Sequence, residues 1–266
     1  MRENSLRQRW ADGKATVNGW LAIPNGFSAE TMAHQGWDSL TVDMQHGMID
    51  YQAMVGMLQA ISTRESVVPL ARVPWLEPGI IMKTLDAGAY GVICPMVNTA
   101  EEAALFVSCC RYPPLGQRSF GPIRATLYGG ADYGLHANDE VLALAMIETR
   151  EALANVEAIL AVPGLDGVYV GPSDLSASLG HPAQLDPEVP EVVDAIATIV
   201  RATKAKGLAA GIHTAAPAYA RRMHEQGFDF CSIASESRLM AMKAQEVIAA
   251  ARGTETSPPR QQPKTY

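Results

Sequence analysis

The chain alternates between short apolar runs rich in β-branched residues and longer segments whose apolar positions recur every three or four residues. The first pattern reads as strands and the second as helices. Eight strand candidates follow one another: VNGWLAIP (17–24), SLTVDMQH (39–46), VVPLARV (67–73), YGVICPMV (90–97), VLALAMIET (141–149), DGVYVGPS (166–173), LAAGIHT (208–214) and FDFCSIAS (228–235). Several are apolar almost throughout, as expected of strands covered on both faces. SAETMAHQG is expected to be a helix with Ser28 as N-cap and Gly36 as its stop. TAEEAALFVSCCR is expected to start at Thr99 with acids in its first turn, and TREALANVEAILAVPG and APAYARRMHEQG to follow the fifth and seventh strands.

Regular strand–helix alternation builds a parallel sheet. Eight units point to closure into a (β/α)₈ barrel, an α/β fold that typically takes about 250 residues; this chain has 266. No G-x-G-x-x-G follows the first strand, which disfavours an open dinucleotide-binding sheet. The expected organisation is a single barrel with a C-terminal helix over 1–253. A polar, Pro-containing tail over 254–266 is expected to be disordered. Residues 111–140, rich in Gly, Pro and aromatics, interrupt the rhythm and are expected to form a lid or interface segment unless they hide a helix.

Composition narrows the function. With 48% hydrophobic and 18% charged residues the balance is ordinary for a globular protein. A formal net charge of −7 and a pI near 5.4 weigh against a nucleic-acid partner. No apolar run approaches the ~18 residues of a membrane span, and the polar MRENSLRQRWADGK start has no apolar core of a signal peptide. Cys94, Cys109, Cys110 and Cys231 match no zinc spacing. They are expected to be buried free thiols, which suits a reducing cytoplasm.

In such barrels the active site forms at the C-terminal ends of the strands, so polar residues there are candidates. His46 ends the second strand candidate, Arg72 the third and Glu148 the fifth, and Asp174 follows the sixth. Two carboxylates brought close repel unless a proton or cation lies between them. Glu148 and Asp174, with further positions open, suit a hard cation such as Mg²⁺ or Mn²⁺; the alternative is that each caps the segment after it. The planar fork of Arg72 suits a carboxylate or an enolate oxygen, the alternative being an ion pair with Asp43 or Asp86. Histidine as a residue type suits proton transfer near neutral pH, so His46 is a candidate base, although a lone histidine is more often structural, and Asp86 is a candidate to orient it. The other histidines, His213 among them, read as structural. GPSDLSASLG (171–180) puts Gly171, Pro172, Ser173, Asp174 and Ser176 at a strand-to-helix turn, where backbone N–H groups can receive an anion.

VDMQHGMIDY, RVPWLEPGIIMKTLDAGAYGVICPMVNTAEEA, CRYPPLGQRSFG, MIETREALANVEAIL and GVYVGPSDLSASLGHP together resemble the HpcH/HpaI aldolases. These are class II pyruvate aldolases, a group with 4-hydroxy-2-oxoheptanedioate and 2-dehydro-3-deoxyglucarate aldolases. The resemblance runs from about Trp20 to Ala251. It implies a barrel of the phosphoenolpyruvate/pyruvate superfamily, and a homo-hexamer, a trimer of dimers, in which the last helix exchanges between paired subunits. It implies a divalent ion, Mg²⁺, Mn²⁺ or Co²⁺, on Glu148 and Asp174, Arg72 stabilising a pyruvate enolate, and His46 with Asp86 acting as base through water. It also implies Trp20 beside the pocket and a substrate carboxylate at the turn of Gly171, Pro172 and Ser173. The implied reaction is reversible cleavage of a 4-hydroxy-2-oxo acid to pyruvate, or hydroxypyruvate, and an aldehyde, with small molecules as the only partners.

Two positions depart from the family pattern. Gln45 stands where an acidic residue is common, and Met146 where a glutamine is common. Both changes fall on the aldehyde side, so they leave the aldehyde open rather than the enolate chemistry. No strand-end lysine offers a Schiff base, since Lys83 falls in a helix. The rival readings are another lyase on the same barrel, acting on an acyl-CoA with Arg118 and Arg124 toward its phosphates or on a phosphonate, and a noncatalytic barrel that binds a 2-oxo acid.

Overall fold

The computed structural model of the protein describes residues 1–254. All eight expected strands are present: β1 (Thr16–Leu21), β2 (Ser39–Asp43), β3 (Val68–Arg72), β4 (Gly91–Cys94), β5 (Leu142–Ile147), β6 (Gly167–Val170), β7 (Ala209–Thr214) and β8 (Phe230–Ser235). Each pairs in parallel with the next, and β8 pairs with β1 to close the barrel. The helices are α1 (Ser5–Ala11), α2 (Gly26–Ala33), α3 (Tyr51–Ile61), α4 (Pro78–Asp86), α5 (Ala100–Cys110), α6 (Ile123–Gly129) and α7 (Tyr133–Glu140). They continue with α8 (Arg150–Ala154), α9 (Val156–Leu160), α10 (Pro172–Ser178), α11 (Pro190–Ala205), α12 (Pro217–Glu225) and α13 (Glu236–Ala251).

Local signals placed most helix starts and misplaced a few. Thr99 does cap α5, in a capping box with Glu102. The cap of α2 is Asn25 rather than Ser28: its side chain accepts from the amides of Phe27 and Ser28, so Ser28 lies inside the helix. The segment after β5 forms two short helices that meet at Asn155, not one. The 111–140 connection hides α6 and α7. The expected disordered tail lies outside the described residues, apart from Thr254.

An unexpected helix, α1, packs across the lower end of the barrel. Arg7 pairs with Asp166 at 2.6 Å, and the Trp10 indole N–H donates to Thr16 Oγ1 at 3.0 Å. From Trp10 a column of rings climbs the interior: Trp10 stacks on Phe230 (5.1 Å between centroids), Phe230 meets Tyr169 (5.5 Å), and Tyr169 stacks on Trp20 (5.6 Å). Gly211 makes room for it, because a Cβ there would lie 2.2 Å from a Phe230 ring carbon. Phe230, Tyr169 and Trp20 are buried, and burying a large apolar side chain contributes about 1.5–3 kcal/mol. The column sets Trp20 at the top of the barrel.

The four cysteines are buried and free, as expected. No helix among the described residues is long and apolar enough to cross a membrane.

Candidate active site

Glu148 follows β5 directly and is buried. Its Oε1 accepts the Met96 amide at 2.8 Å. Met96 holds φ = 55°, in the left-handed region that a non-glycine residue occupies only when its surroundings over-determine it. Thr149, the next residue, caps α8 by accepting the Ala152 amide, so Glu148 is not the cap. Asp174 lies in the first turn of α10, whose N-cap position is Gly171 without a side-chain cap bond, so Asp174 does not cap it either. Burial and then the negative charge of Asp174 push the Glu148 carboxyl up to about 7, against the Met96 amide and Arg72, which favour the charged form.

This arrangement fits a cation. A buried carboxylate beside a second one loses its penalty when a positive ion is shared between them. Among the described residues Ser173 Oγ, buried in the same turn, has no hydrogen-bond partner. A Cβ on Gly171 would lie 2.3 Å from Glu148 Oε2, so the glycine keeps open the space beside that oxygen. Among the described residues no cluster of three or more His, Cys, Asp or Glu is placed to hold a metal. On Glu148 and Asp174 as the candidate pair, further oxygen ligands would come from substrate and water, as hard cations accept.

Arg72, the last residue of β3, lies beside Asp43, the last of β2, in the parallel register. Its Nε donates to Asp43 Oδ1 at 2.8 Å and its Nη2 to Oδ2 at 2.6 Å. Both side chains are buried. Asp43 also accepts from the Trp20 indole at 3.0 Å and from the amides of Gln45 and His46 at 3.1 and 3.3 Å. Burial alone would raise the Asp43 carboxyl, but Arg72, Trp20 and the His46 amide outweigh it and hold it below the usual carboxylate range. The ion pair considered for Arg72 is thus formed, with Asp43 and not Asp86. The guanidinium also lies 4.8 Å from the Trp20 ring centroid.

β2 stops at Asp43, so His46 stands in the loop three residues beyond it, exposed. The expected pairing of His46 with Asp86 is not made within one chain. Asp86 ends α4, which runs back down the outside of the barrel, away from the rim. There Arg118 Nη2 donates to it at 2.8 Å. Arg118 is buried and also donates to Tyr133 Oη at 3.1 Å. Arg124 binds the carbonyls of Ala87 and Leu58 and the Ser62 hydroxyl. Neither forms the basic patch that a CoA substrate would require.

A cavity of about 340 Å³ opens beside this cluster, walled by Trp20, Asp43, His46, His213 and Arg238. The segment after β1 forms one side, held by Glu236, whose carboxylate accepts the amides of Ala22 and Ile23 at 2.8 and 2.7 Å. His213 had been read as structural. It lies on β7 near that strand's end, with its ring edge-on to Trp20 at 4.6 Å. The strand-end rule that singled out Arg72 would have found it. Burial and then Arg72 push its imidazole down to about 3, so it is neutral near pH 7.

A profile of the HpcH/HpaI aldolase/citrate lyase family matches residues 18–242. The chain belongs to this family. It is 44% identical over 249 residues to the hydroxypyruvate/pyruvate aldolase of Rhizorhabdus wittichii, covering 94% of this chain and 99% of the relative. It is 37% identical over 247 residues to the 4-hydroxy-2-oxovalerate aldolase of Rhodococcus jostii, covering 92% and 95%. Its fold matches the crystal structure of an HpcH/HpaI aldolase/citrate lyase family protein from Burkholderia cenocepacia with a TM-score of 0.88 and 33% identity, covering 94% and 99%. In this HpcH/HpaI chain Gln45 keeps a buried side-chain Oε1 with no partner among the described residues. Met146, buried on β5, would have its terminal methyl 2.9 Å from a Cβ on Gly171.

Proposed function

We propose that this HpcH/HpaI aldolase catalyses divalent-metal-dependent, reversible cleavage of a 4-hydroxy-2-oxo acid to pyruvate or hydroxypyruvate and an aldehyde. The observation that carries the reading is the buried Glu148 carboxylate, raised by burial and by Asp174 and open beside Gly171. Glu148 and Asp174 would hold Mg²⁺, Mn²⁺ or Co²⁺. Bound there, the ion supplies Lewis-acid polarisation of the keto group. Backbone amides at the start of α10, around Gly171, Pro172 and Ser173, orient the substrate carboxylate, with Ser173 Oγ as a further donor. Arg72 keeps a fixed positive charge where the enolate oxygen develops, in a buried setting where such a charge acts strongly. Asp43 holds that guanidinium in one orientation. Trp20 walls the pocket, and His46 at the cavity mouth takes the proton of the 4-hydroxyl. Asp86, bonded to Arg118, takes no part in these steps within one chain.

Two measurements test the reading. Exhaustive chelation is expected to abolish both aldol cleavage and deuterium exchange at the pyruvate methyl group, with return on adding Mn²⁺ or Mg²⁺; full activity without metal would overturn it. Gly171→Ala crowds Glu148 Oε2 and is expected to weaken Mn²⁺ binding by about ten- to a hundredfold, the scale for disturbing the groups that orient a ligand. Unchanged affinity by titration calorimetry would remove Glu148 from the ligand set.

We further propose a cytoplasmic homo-hexamer with exchanged C-terminal helices and no nucleic-acid or membrane partner. In support, α13 exposes Met240, Met242, Val247 and Ile248, an apolar surface suited to burial against another copy.

A further inference from the structure

One wall of the cavity forms where two chain segments meet, and a single buried carboxylate joins them. β1 ends its ladder at Leu21, opposite Val42 of β2, so the amides of Ala22 and Ile23 lie beyond the sheet and need acceptors elsewhere. Glu236, buried in the first turn of α13, takes both. Its Oε1 accepts the Ala22 amide at 2.8 Å and the Ile23 amide at 2.7 Å, and its Oε2 accepts the Ala22 amide at 2.8 Å. From the other side the Met48 amide donates to the Ala22 carbonyl at 3.0 Å. Gly47 allows this approach, since a Cβ there would lie 2.3 Å from the Asp43 carbonyl oxygen and 3.1 Å from Ala22 Cα.

β8 is bent to bring the carboxylate to that place. Asn18 pairs with Ser232 and Trp20 with Ser235, so β8 advances three residues where β1 advances two. Ala234 lies inside this bulge, buried, with φ = 51°. A bulge re-aims the side chains that follow it, and a left-handed alanine persists only where its surroundings over-determine it. The start of α13 does not require Glu236, because Ser235 is its N-cap and accepts the Arg238 amide.

We infer that Glu236 is a positioning residue for the aldehyde half of the substrate. It acts through the wall: it fixes Ala22, Ile23 and Pro24 against Ala234, Ser235 and Ser237, all of which line the cavity. The inference rests on the aldol reading above. There His46 takes the proton of the 4-hydroxyl, and His46 borders this cavity, so the carbon that leaves as the aldehyde lies at it. The groups assigned to the enolate half stand elsewhere on the rim: Arg72 ends β3, Glu148 follows β5 and Asp174 lies in α10. Loss of the Glu236 tie therefore displaces the aldehyde and leaves enolate formation in place. A misplacement of about 1 Å costs on the order of a hundredfold in rate.

The test uses the full-length enzyme with Mn²⁺ and follows two reactions of pyruvate. One is deuterium exchange at its methyl group without aldehyde; the other is aldol addition to glycolaldehyde or propionaldehyde. Glu236→Ala leaves the Ala22 and Ile23 amides without their acceptor. It is expected to lower kcat/KM for both aldehydes by about tenfold or more, with exchange within about twofold of the parent. Glu236→Gln keeps an oxygen for both amides and is expected to stay within about threefold of the parent in both reactions. Glu236→Asp draws the carboxylate back by a methylene and is expected to fall between these two in the aldol reaction. Should Glu236→Ala fail to fold, Glu236→Asp carries the comparison. Unchanged kcat/KM for the aldehydes in Glu236→Ala and Glu236→Asp overturns the inference. So does exchange that falls in step with the aldol reaction, which would make Glu236 a support of the fold alone. A parent enzyme that forms no aldol product with either aldehyde overturns the aldol reading itself, an outcome distinct from both.

Discussion

Glu148→Gln is expected to lower aldol cleavage by about a hundredfold to a thousandfold while leaving the fold intact. The magnitude is that of losing a group which stabilises charge in a transition state. The substitution keeps an oxygen to accept the Met96 amide, so the left-handed turn at Met96 retains its partner. It removes the charge that a cation at this position needs, so Mn²⁺ affinity and turnover should fall together. Metal-free stability is expected to move the other way. The Glu148 carboxyl rises from 4.5 to about 7 in the fold, so the unfolded chain gives up its proton first. Between those values the folded state loses stability as pH rises, and above 7 the whole of that loss is present. Calorimetric melting in chelator at pH 8 should place the variant at or above the parent. A variant that melts well below the parent and still binds Mn²⁺ would refute the role given to Glu148.

Arg72→Ala is expected to cost well over tenfold in turnover and, separately, much of the protein's stability. The first effect comes from losing a fixed cation beside the developing enolate, about a hundredfold or more. The second comes from Asp43, which is buried and would keep its charge without its bidentate partner. Breaking a buried pair in this way costs about 3–5 kcal/mol. Arg72→Lys separates the two effects, since it restores a charge without the planar fork. It should recover more of the melting temperature than of kcat. Added guanidinium at low concentration should restore part of the activity of Arg72→Ala, and normal turnover of that variant without it would show that the arginine serves only Asp43.

Much of this site could be seen before the fold was known. Arg72 and Glu148 end apolar runs, and a charged residue at the end of a strand buried on both faces has little structural reason to be there. The GPSD turn after β6 was equally local, since the strand stops where α10 begins. Asp43 was visible only as one possible partner for Arg72, because nothing in its neighbourhood tells that β2 and β3 end in register. His213 was passed over because a histidine in an apolar run looks like any core histidine. Its position is set by Trp20 and by Tyr169, 44 residues away, which only the closed barrel brings to it. Asp86 shows the opposite case: it follows Arg72 closely in sequence, yet within one chain α4 carries it down the barrel to Arg118.

By itself the sequence determined the eight strand–helix units, the cap of α5 at Thr99 and the polar residues at the strand ends. Each of these is a property of a few neighbouring residues: side-chain period, turn chemistry, and the cost of a charge beside an apolar run. Tertiary structure alone decided that Arg72 is gripped by Asp43, that α4 carries Asp86 to Arg118, and that His213 lies edge-on to Trp20 beside the cavity. Those outcomes depend on barrel closure, on the register between strands and on the direction in which helices return, and no local pattern encodes them.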